Sequence, residues 1–359
     1  MELNNNQIES LLGRKTISNE YSNKGSYIKG KVCFITGGGG SIGEALVTGI
    51  MSYLPKEIHI IENCESKVYE LKQKLSLKNK QLPENIYIHL SDIRDYRKMK
   101  YLYRTYKPNI VYHTAAYKHV NIMEDNPEEA INNNVRGTLN IAKLAYKYKS
   151  ERVILVSSDK AVHPINIMGM TKRLSEMVIY FFAKQSRYTL FSTVRLVNVF
   201  GSSGSIVPSI INQVQNGGPV TITSKDVERF FMTMSEAVYL IITAGNIEYN
   251  GQVTVMNVVS GVNIASLAKK IIKLCTEHEK RNINLLYIGL AKNEKIKELI
   301  LYDNEIPYRK GDSEFSIFSR LIVSTNVFRF YFELYYLFWL CKKMKRNKII
   351  KLLKEIICT

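Results

Sequence analysis

Thirteen residues, "FITGGGGSIGEAL" from Phe34 to Leu46, constrain this chain more than any other stretch. A short β-branched run, "KVCFIT", ends in four glycines, and an apolar helical pattern follows at once. Gly37, Gly40 and Gly43 stand at G-x-x-G-x-x-G spacing. Glycine permits positive φ in the turn and lets the backbone approach a pyrophosphate, whose charge suits the free N–H groups of a helix N-terminus. A glycine-rich turn alone reads equally well as a plain loop. Strand, glycines and helix in this order predict a dinucleotide site with Gly37, Gly40, Ser41, Ile42 and Gly43 at the phosphates.

The rest of the chain carries the same alternation. "EIHIIE", "NIYIHLSD", "PNIVYHTAA", "RVILVSSD" and "YTLFSTVRL" read as strands, and "SIGEALVTGIMSYL" and "PEEAINNNVRGTLNIAKLAYKY" as helices, the latter opened by Pro127. Such alternation predicts an α/β fold with a doubly wound parallel sheet of Rossmann type over residues 28–200. Past residue 200 the texture shifts to Gly/Ser clusters and short elements. Residues 201–319 are expected to form a smaller substrate domain, with "RFFMTMSEAVYLIITAG" as a helix capped by Ser235. Residues 1–27, rich in Asn and Ser, read as a weakly packed leader, and 320–359 as a basic, aromatic tail.

Within that frame the cofactor contacts can be placed. Glu62 ends the second strand, nineteen residues after Gly43, where a carboxylate takes the ribose hydroxyls and repels a 2′-phosphate. NAD is therefore expected rather than NADP; the plainer alternative is a solvated Glu62, with Lys67 on a phosphate. Asp92 and Ile93 close the third strand near the adenine, and small Ala115 and Ala116 leave room beyond the fourth. Five dispersed cysteines, with no C-x-x-C pair, suggest neither a metal site nor a disulfide framework, and fit a reduced cytoplasmic compartment. "MELNNNQIESLLGRK" lacks the apolar core of a signal peptide, and no apolar run is long enough to span a bilayer. Net charge is +18; charge of that size attracts nucleic acid, anionic lipid or a phosphorylated substrate without choosing among them.

"SSDKAVHPINIMGMTK", residues 157–172, holds the candidate chemistry. Ser158, Asp159 and Lys160 end the fifth strand, at the carboxyl edge where such sheets bind ligands. An isolated Asp-Lys pair is usually a solvated surface pair, but here burial and mutual charge could tune an acid and a base. Lys172 lies four residues after Met168, on the same helix face. A tyrosine at 168 would trade a proton with the substrate; the thioether of methionine has none.

Five stretches in order, "TGGGGSIGEAL", "AAYKHVNIMEDNPEEAINNNVRGT", "SSDKAVHPINIMGMTKRLSEM", "VRLVNVFGSSGSIVP" and "GGPVTITSKDVERFFMT", together resemble the bacterial polysaccharide-biosynthesis group of extended short-chain dehydrogenases. The likeness covers roughly residues 10–290 and includes the branch with methionine at the tyrosine position. It implies a UDP-N-acetylglucosamine 4,6-dehydratase of capsule or O-antigen type: oxidation at C4, loss of water across C5–C6, and return of the hydride to C6, with NAD recycled in place. By matching positions, Asp159 would protonate the C6 hydroxyl, Lys160 remove the C5 proton, Ser158 bond the C4 oxygen, and Lys172 hold the nicotinamide ribose. Asn198, Ser205 and Arg229 would meet the substrate, with Lys118 and His119 nearby. The C4 proton is left with several candidate acceptors: Lys160, Lys172, a water on Ser158, Lys118 or His119. A 4-epimerase acting on UDP-N-acetylglucosamine or UDP-glucose, and a catalytically silent nucleotide-sugar or NAD binder, are the alternatives. The expected partners are a UDP-sugar and a second copy of the chain, without nucleic acid. One departure stands out: where the group carries a Gly-x-Arg-Pro-Gly-Glu-Lys-like segment, this chain has Ala291, Lys292 and Asn293.

The tail has its own pattern. Residues 320–359 hold nine basic residues against Glu333 and Glu355, and eight aromatics crowd positions 328–339. An aromatic helix beside a polybasic run suits an anionic headgroup layer, so residues 327–354 are a candidate for peripheral contact with the inner face of the cell membrane. The alternative is a helix packed on its own domain or on a second subunit.

Overall fold

The computed structural model describes residues 3–16, 23–76, 81–246, 249–257, 260–276, 282–305, 307–308, 316–320 and 326–358. Its centre is a sheet of seven parallel strands: β1 (Val32–Thr36), β2 (Glu57–Glu62), β3 (Ile86–Leu90), β4 (Ile110–His113), β5 (Arg152–Ser158), β6 (Leu190–Leu196) and β7 (Gln252–Met256). Their spatial order is β3-β2-β1-β4-β5-β6-β7, and Ser316–Arg320 pairs antiparallel with β7. Every residue of β1 and β4 is buried, which is why these strands read as continuous apolar runs rather than alternating ones. The order reverses between β1 and β4, so a crevice opens at their carboxyl ends.

Helices cover both faces. On one, the Ser41–Met51 helix packs beside the Met234–Thr243 helix through Leu46, Val47, Ile50, Leu240 and Ile241. On the other, Gly137–Tyr148 and Ile167–Gln185 bury Ile141, Leu144, Met177, Val178 and Phe181. The helix expected from Pro127 runs continuously to Tyr148, with a π segment (Ile131–Arg136) between its α turn (Pro127–Ala130) and Gly137–Tyr148. Beside that widened turn, the side chain of Asn134 accepts from the Tyr117 N–H (2.7 Å) and donates to the Tyr117 carbonyl (3.0 Å) and Thr171 Oγ1 (3.0 Å). One amide thereby ties the loop after β4 to the Ile167–Gln185 helix.

Three expectations need correction. The leader is docked, not loose: the Asn5–Leu12 helix buries Leu11 and Leu12 in the smaller core, and Arg14 forms a two-pronged pair with buried Glu236 at 2.7 and 2.8 Å. Residues 17–22 of that leader lie outside the described residues. The span 201–319 is not one separate body, because β7 within it completes the main sheet beside β6. Its remainder packs Ile206–Gln215, Ile264–Thr276 and the Val220–Ile222/Leu285–Tyr287 strand pair around Val207, Ile210, Leu267 and Ile271. Finally, Thr233 rather than Ser235 caps the Met234–Thr243 helix, forming a reciprocal capping box with Glu236. The tail folds as a hairpin of Val327–Lys342 and Arg346–Ile357, with Phe330 stacked on Phe181 at 4.3 Å. Among the described residues no helix is long and apolar enough to cross a membrane.

Candidate active site

A cleft of about 890 Å³ runs from the glycine turn across the carboxyl ends of β4, β5 and β6. Gly37, Gly40, Ser41, Ile42, Gly43, Glu62, Lys67, Ile93, Ala115 and Ala116 line its first half. The glycines there are sterically required. Gly37 holds φ +70°, and a Cβ on it would lie 2.7 Å from the Ala115 Cα. On Gly43 a Cβ would lie 2.3 Å from the Gly37 carbonyl oxygen. Only bare backbone lets the turn fold onto the helix start and leave N–H groups facing the cleft. Glu62 accepts from the N–H groups of Gly39 (3.0 Å), Asn63 (3.0 Å) and Cys64 (3.1 Å), which anchors its carboxylate beside the turn. The Glu62 carboxylate, an acceptor for ribose hydroxyls, and the glycine cradle fit a dinucleotide.

Ser158, Lys160, Met168, Lys172, Lys118, His119, Asn198 and Ser205 line the second half. Asp159 lies buried behind them. Its Oδ1 accepts from Ser158 Oγ at 2.8 Å and from Lys160 Nζ at 3.1 Å; among the described residues its Oδ2 has no hydrogen-bond partner. Lys172 donates to the Val156 carbonyl at 2.7 Å, and burial pushes its ammonium down to about 8, partly offset by Glu176. Lys118 donates to the Ser203 carbonyl at 2.6 Å, and burial, then nearby Lys67, lowers it. Asn198 donates to the Phe230 carbonyl. Ser205 stands at the N-terminus of the Ile206–Gln215 helix, and its buried Oγ has no partner among the described residues.

Two expected residues stand apart from the cleft wall. Arg94 takes the Asp92 carboxylate through its backbone N–H (2.7 Å) and its guanidinium (2.7 and 2.9 Å), so the carboxylate is turned to a neighbour two residues on. Arg229 pairs with Glu294 at 3.1 Å and donates to the carbonyls of Glu228 and Ile296. The departing segment 291–293 lies outside the cleft wall and is tied to the start of the Ile167–Gln185 helix: Asn293 Nδ2 donates to Glu124 (2.7 Å), whose other oxygen accepts the Ile167 N–H (2.6 Å). The Asn293 carbonyl accepts from the cap residue Asn166 at 3.3 Å.

Several supports had no signal in the sequence. Gly169, next to Met168, lets the Ile167–Gln185 helix meet the turn after β5, since a Cβ there would lie 2.2 Å from the Lys160 carbonyl oxygen. Glu298 is buried with Oε1 4.0 Å from Lys160 Nζ and Oε2 3.1 Å from Lys295 Nζ. Below the turn, fully buried Arg195 joins Glu176 (2.8 Å) and Glu305 (2.6 Å), and Ser157 Oγ donates to Glu176 at 2.6 Å. Tyr302 covers Arg173 and Arg195 with its ring and donates its hydroxyl to the Ala161 carbonyl at 2.9 Å. An ion network from three remote elements thus fixes the turn that carries Asp159 and Lys160.

This fold, with a glycine turn after β1 and a cleft at the carboxyl ends of β4 to β6, is that of an extended short-chain dehydrogenase/reductase. The crystal structure of Pen from Bacillus thuringiensis matches with a TM-score of 0.76 at 29% identity, covering 84% of this chain and 91% of that one. The chain belongs to the polysaccharide biosynthesis protein family, whose profile matches residues 33–318. It is 41% identical over 300 residues to the probable polysaccharide biosynthesis protein EpsC of Bacillus subtilis (83% of this chain, 49% of EpsC), and so spans about half the length of that relative. It is also 32% identical over 283 residues to a UDP-glucose 4-epimerase of Rickettsia rickettsii, covering 77% of this chain and 79% of that protein.

Proposed function

We propose that this chain is an NAD-dependent UDP-N-acetylhexosamine 4,6-dehydratase that makes a 4-keto-6-deoxy sugar nucleotide for surface polysaccharide. The observation that carries the reading is the Asp159–Lys160 pair, 3.1 Å apart at the carboxyl end of β5. Its two members are the acid and the base that an elimination across C5–C6 requires, and a C4 epimerisation needs neither. Gly37, Gly40, Gly43 and Glu62 would hold NAD, with Glu62 disfavouring a 2′-phosphate. When bound there, NAD would supply the reversible hydride acceptance that the side chains lack.

The chain's own groups move the protons. Lys172, lowered to about 8 by burial, is the acceptor for the C4 hydroxyl proton, filling the role left open by Met168. Ser158 Oγ holds the C4 oxygen. Lys160 takes the C5 proton, Asp159 protonates the C6 oxygen as it leaves as water, and Lys160 then returns its proton to C5. The C4 proton held by Lys172 passes through solvent to replace the one that Asp159 gave up. Ser205 Oγ and the N–H groups of the Ile206–Gln215 helix start are placed for the diphosphate, with Asn198, Lys118 and His119 around the sugar.

A second reading, a UDP-sugar 4-epimerase, is favoured by the likeness to the Rickettsia rickettsii enzyme. Purified protein incubated with UDP-N-acetylglucosamine separates the two when products are followed by mass and NMR. Loss of one water supports the dehydratase. An isomer of unchanged mass means an epimerase, and unchanged substrate means a silent binder.

A further inference from the structure

The C-terminal hairpin carries two apolar rows with opposite surroundings, and the outer one is aromatic throughout. Along the Val327–Lys342 helix, Phe330, Leu334, Leu337, Phe338 and Cys341 recur at one helical spacing and are buried against the sheet domain. Two positions out of phase, Phe328, Phe332, Tyr335, Tyr336 and Trp339 repeat that spacing and face outward. Phe328 and Phe332 are 86% and 75% exposed. Tyr336 and Trp339 stack with ring centroids 5.7 Å apart, which gives the row a flat end. The stripe continues at the same spacing into exposed Lys342 and Lys343, and exposed Lys345, Lys348, Lys351 and Lys354 follow.

We propose that this outward row docks on the surface of an anionic lipid bilayer. Packing on the domain accounts for the inner row, whereas the outer row stays 43–86% exposed. Single exposed aromatics are ordinary, whereas a contiguous row of five marks a contact surface. Tyr and Trp rings suit the headgroup layer, and lysines at the same end of the stripe complement anionic lipid. The competing occupant is a second copy of the chain. Two-fold pairing of this row would bring two lysine-rich hairpins together, with Arg329 and Glu333 already neutralising each other at 2.8 Å. Charge therefore favours the lipid surface over the second copy. The helix is too short and too mixed to span, so the contact lies in the plane of the interface. The hairpin lies beyond residue 318, where the family match ends, and the inference stands independently of the proposed chemistry.

Trp339 is the only tryptophan in the chain and sits in the row, so its fluorescence reports the contact directly. Full-length protein is mixed with phosphatidylglycerol vesicles and, separately, with phosphatidylcholine vesicles; emission and flotation are read for each. A blue shift and co-flotation with phosphatidylglycerol alone, reversed by salt, are expected. The double variant Phe328→Ser/Phe332→Ser, which leaves the buried row intact, is expected to lower vesicle partitioning by roughly tenfold or more while retaining the native circular dichroism. Lys342→Glu/Lys343→Glu is expected to do the same without touching an aromatic. No shift with either vesicle, equal binding to both, or a blue shift that follows protein concentration and dimer mass in the absence of lipid would each overturn the proposal.

Discussion

The two halves of the cleft are built by different means. At the glycine turn the working groups are backbone N–H donors, and their placement depends on side chains that are absent: Gly37 and Gly43 have no room for a Cβ. At the β5 turn the working groups are side chains, and their placement depends on charges brought from far along the chain. Glu176, Arg195 and Glu305 lie beneath it, Glu298 and Lys295 beside it, and Tyr302 holds the Ala161 carbonyl. A cradle made of backbone is specified by a dozen consecutive residues. A cradle made of buried charge is specified only by the whole fold.

That contrast can be broken by substitution. The largest effect is expected at the acid–base pair: Asp159→Asn and Lys160→Ala should each lower dehydration by about 10²- to 10⁴-fold, with NAD content of the purified protein unchanged. Full activity in either variant would remove the proposed chemistry. Next, Arg195→Met leaves buried Glu305 without its cation and Glu176 with only Arg173 at 3.5 Å, and should cost about 3–5 kcal/mol in denaturant unfolding, because uncompensated buried charge is expensive. A cost well under 1 kcal/mol would show that the network is incidental. Gly43→Ala pushes a Cβ into the Gly37 carbonyl. It should lower NAD retention by roughly tenfold or more and leave the β5 turn in place, a separation that the two-cradle picture requires.

Smaller effects sharpen the comparison. Lys172 works as a base only in its neutral form, so its contribution grows as pH rises. With the ammonium pushed down to about 8, the C4 oxidation rate should climb about fivefold between pH 7 and pH 8 and level off above. A rate that is flat across that range would move the C4 proton to another group. Glu298→Gln keeps the volume beside Lys160 and removes one negative charge at 4.0 Å. A shift in the pH profile with a change of about tenfold or less in kcat is expected of a positioning residue, and an unchanged profile would leave Glu298 a purely structural neighbour.

How much of this was legible in the sequence follows the same division. The parallel sheet, the glycine turn, Glu62 and the Ser158-Asp159-Lys160 turn are local patterns, and the structure places each at the cleft or just behind it. Asp92 and Arg229 were assigned by position alone; their partners, Arg94 and Glu294, decide where those charges point. Glu298 sits in the charge-rich run "GLAKNEKIKELI", where no local pattern sets it apart, and only the fold turns it inward. The leader misled in the opposite sense. Its Asn-rich composition suggested a loose segment, but Leu11, Leu12 and Arg14 carry its docking.

The central claim is that the β5 turn eliminates water across C5–C6 of a UDP-N-acetylhexosamine. Its most direct test is incubation of the full chain with UDP-N-acetylglucosamine in D₂O, with the product read by mass and proton NMR. The account expects a 4-keto-6-deoxy product that has lost one water and carries solvent deuterium at C5, delivered from Lys160. A product of unchanged mass, inverted at C4 and free of deuterium at C5, would contradict it.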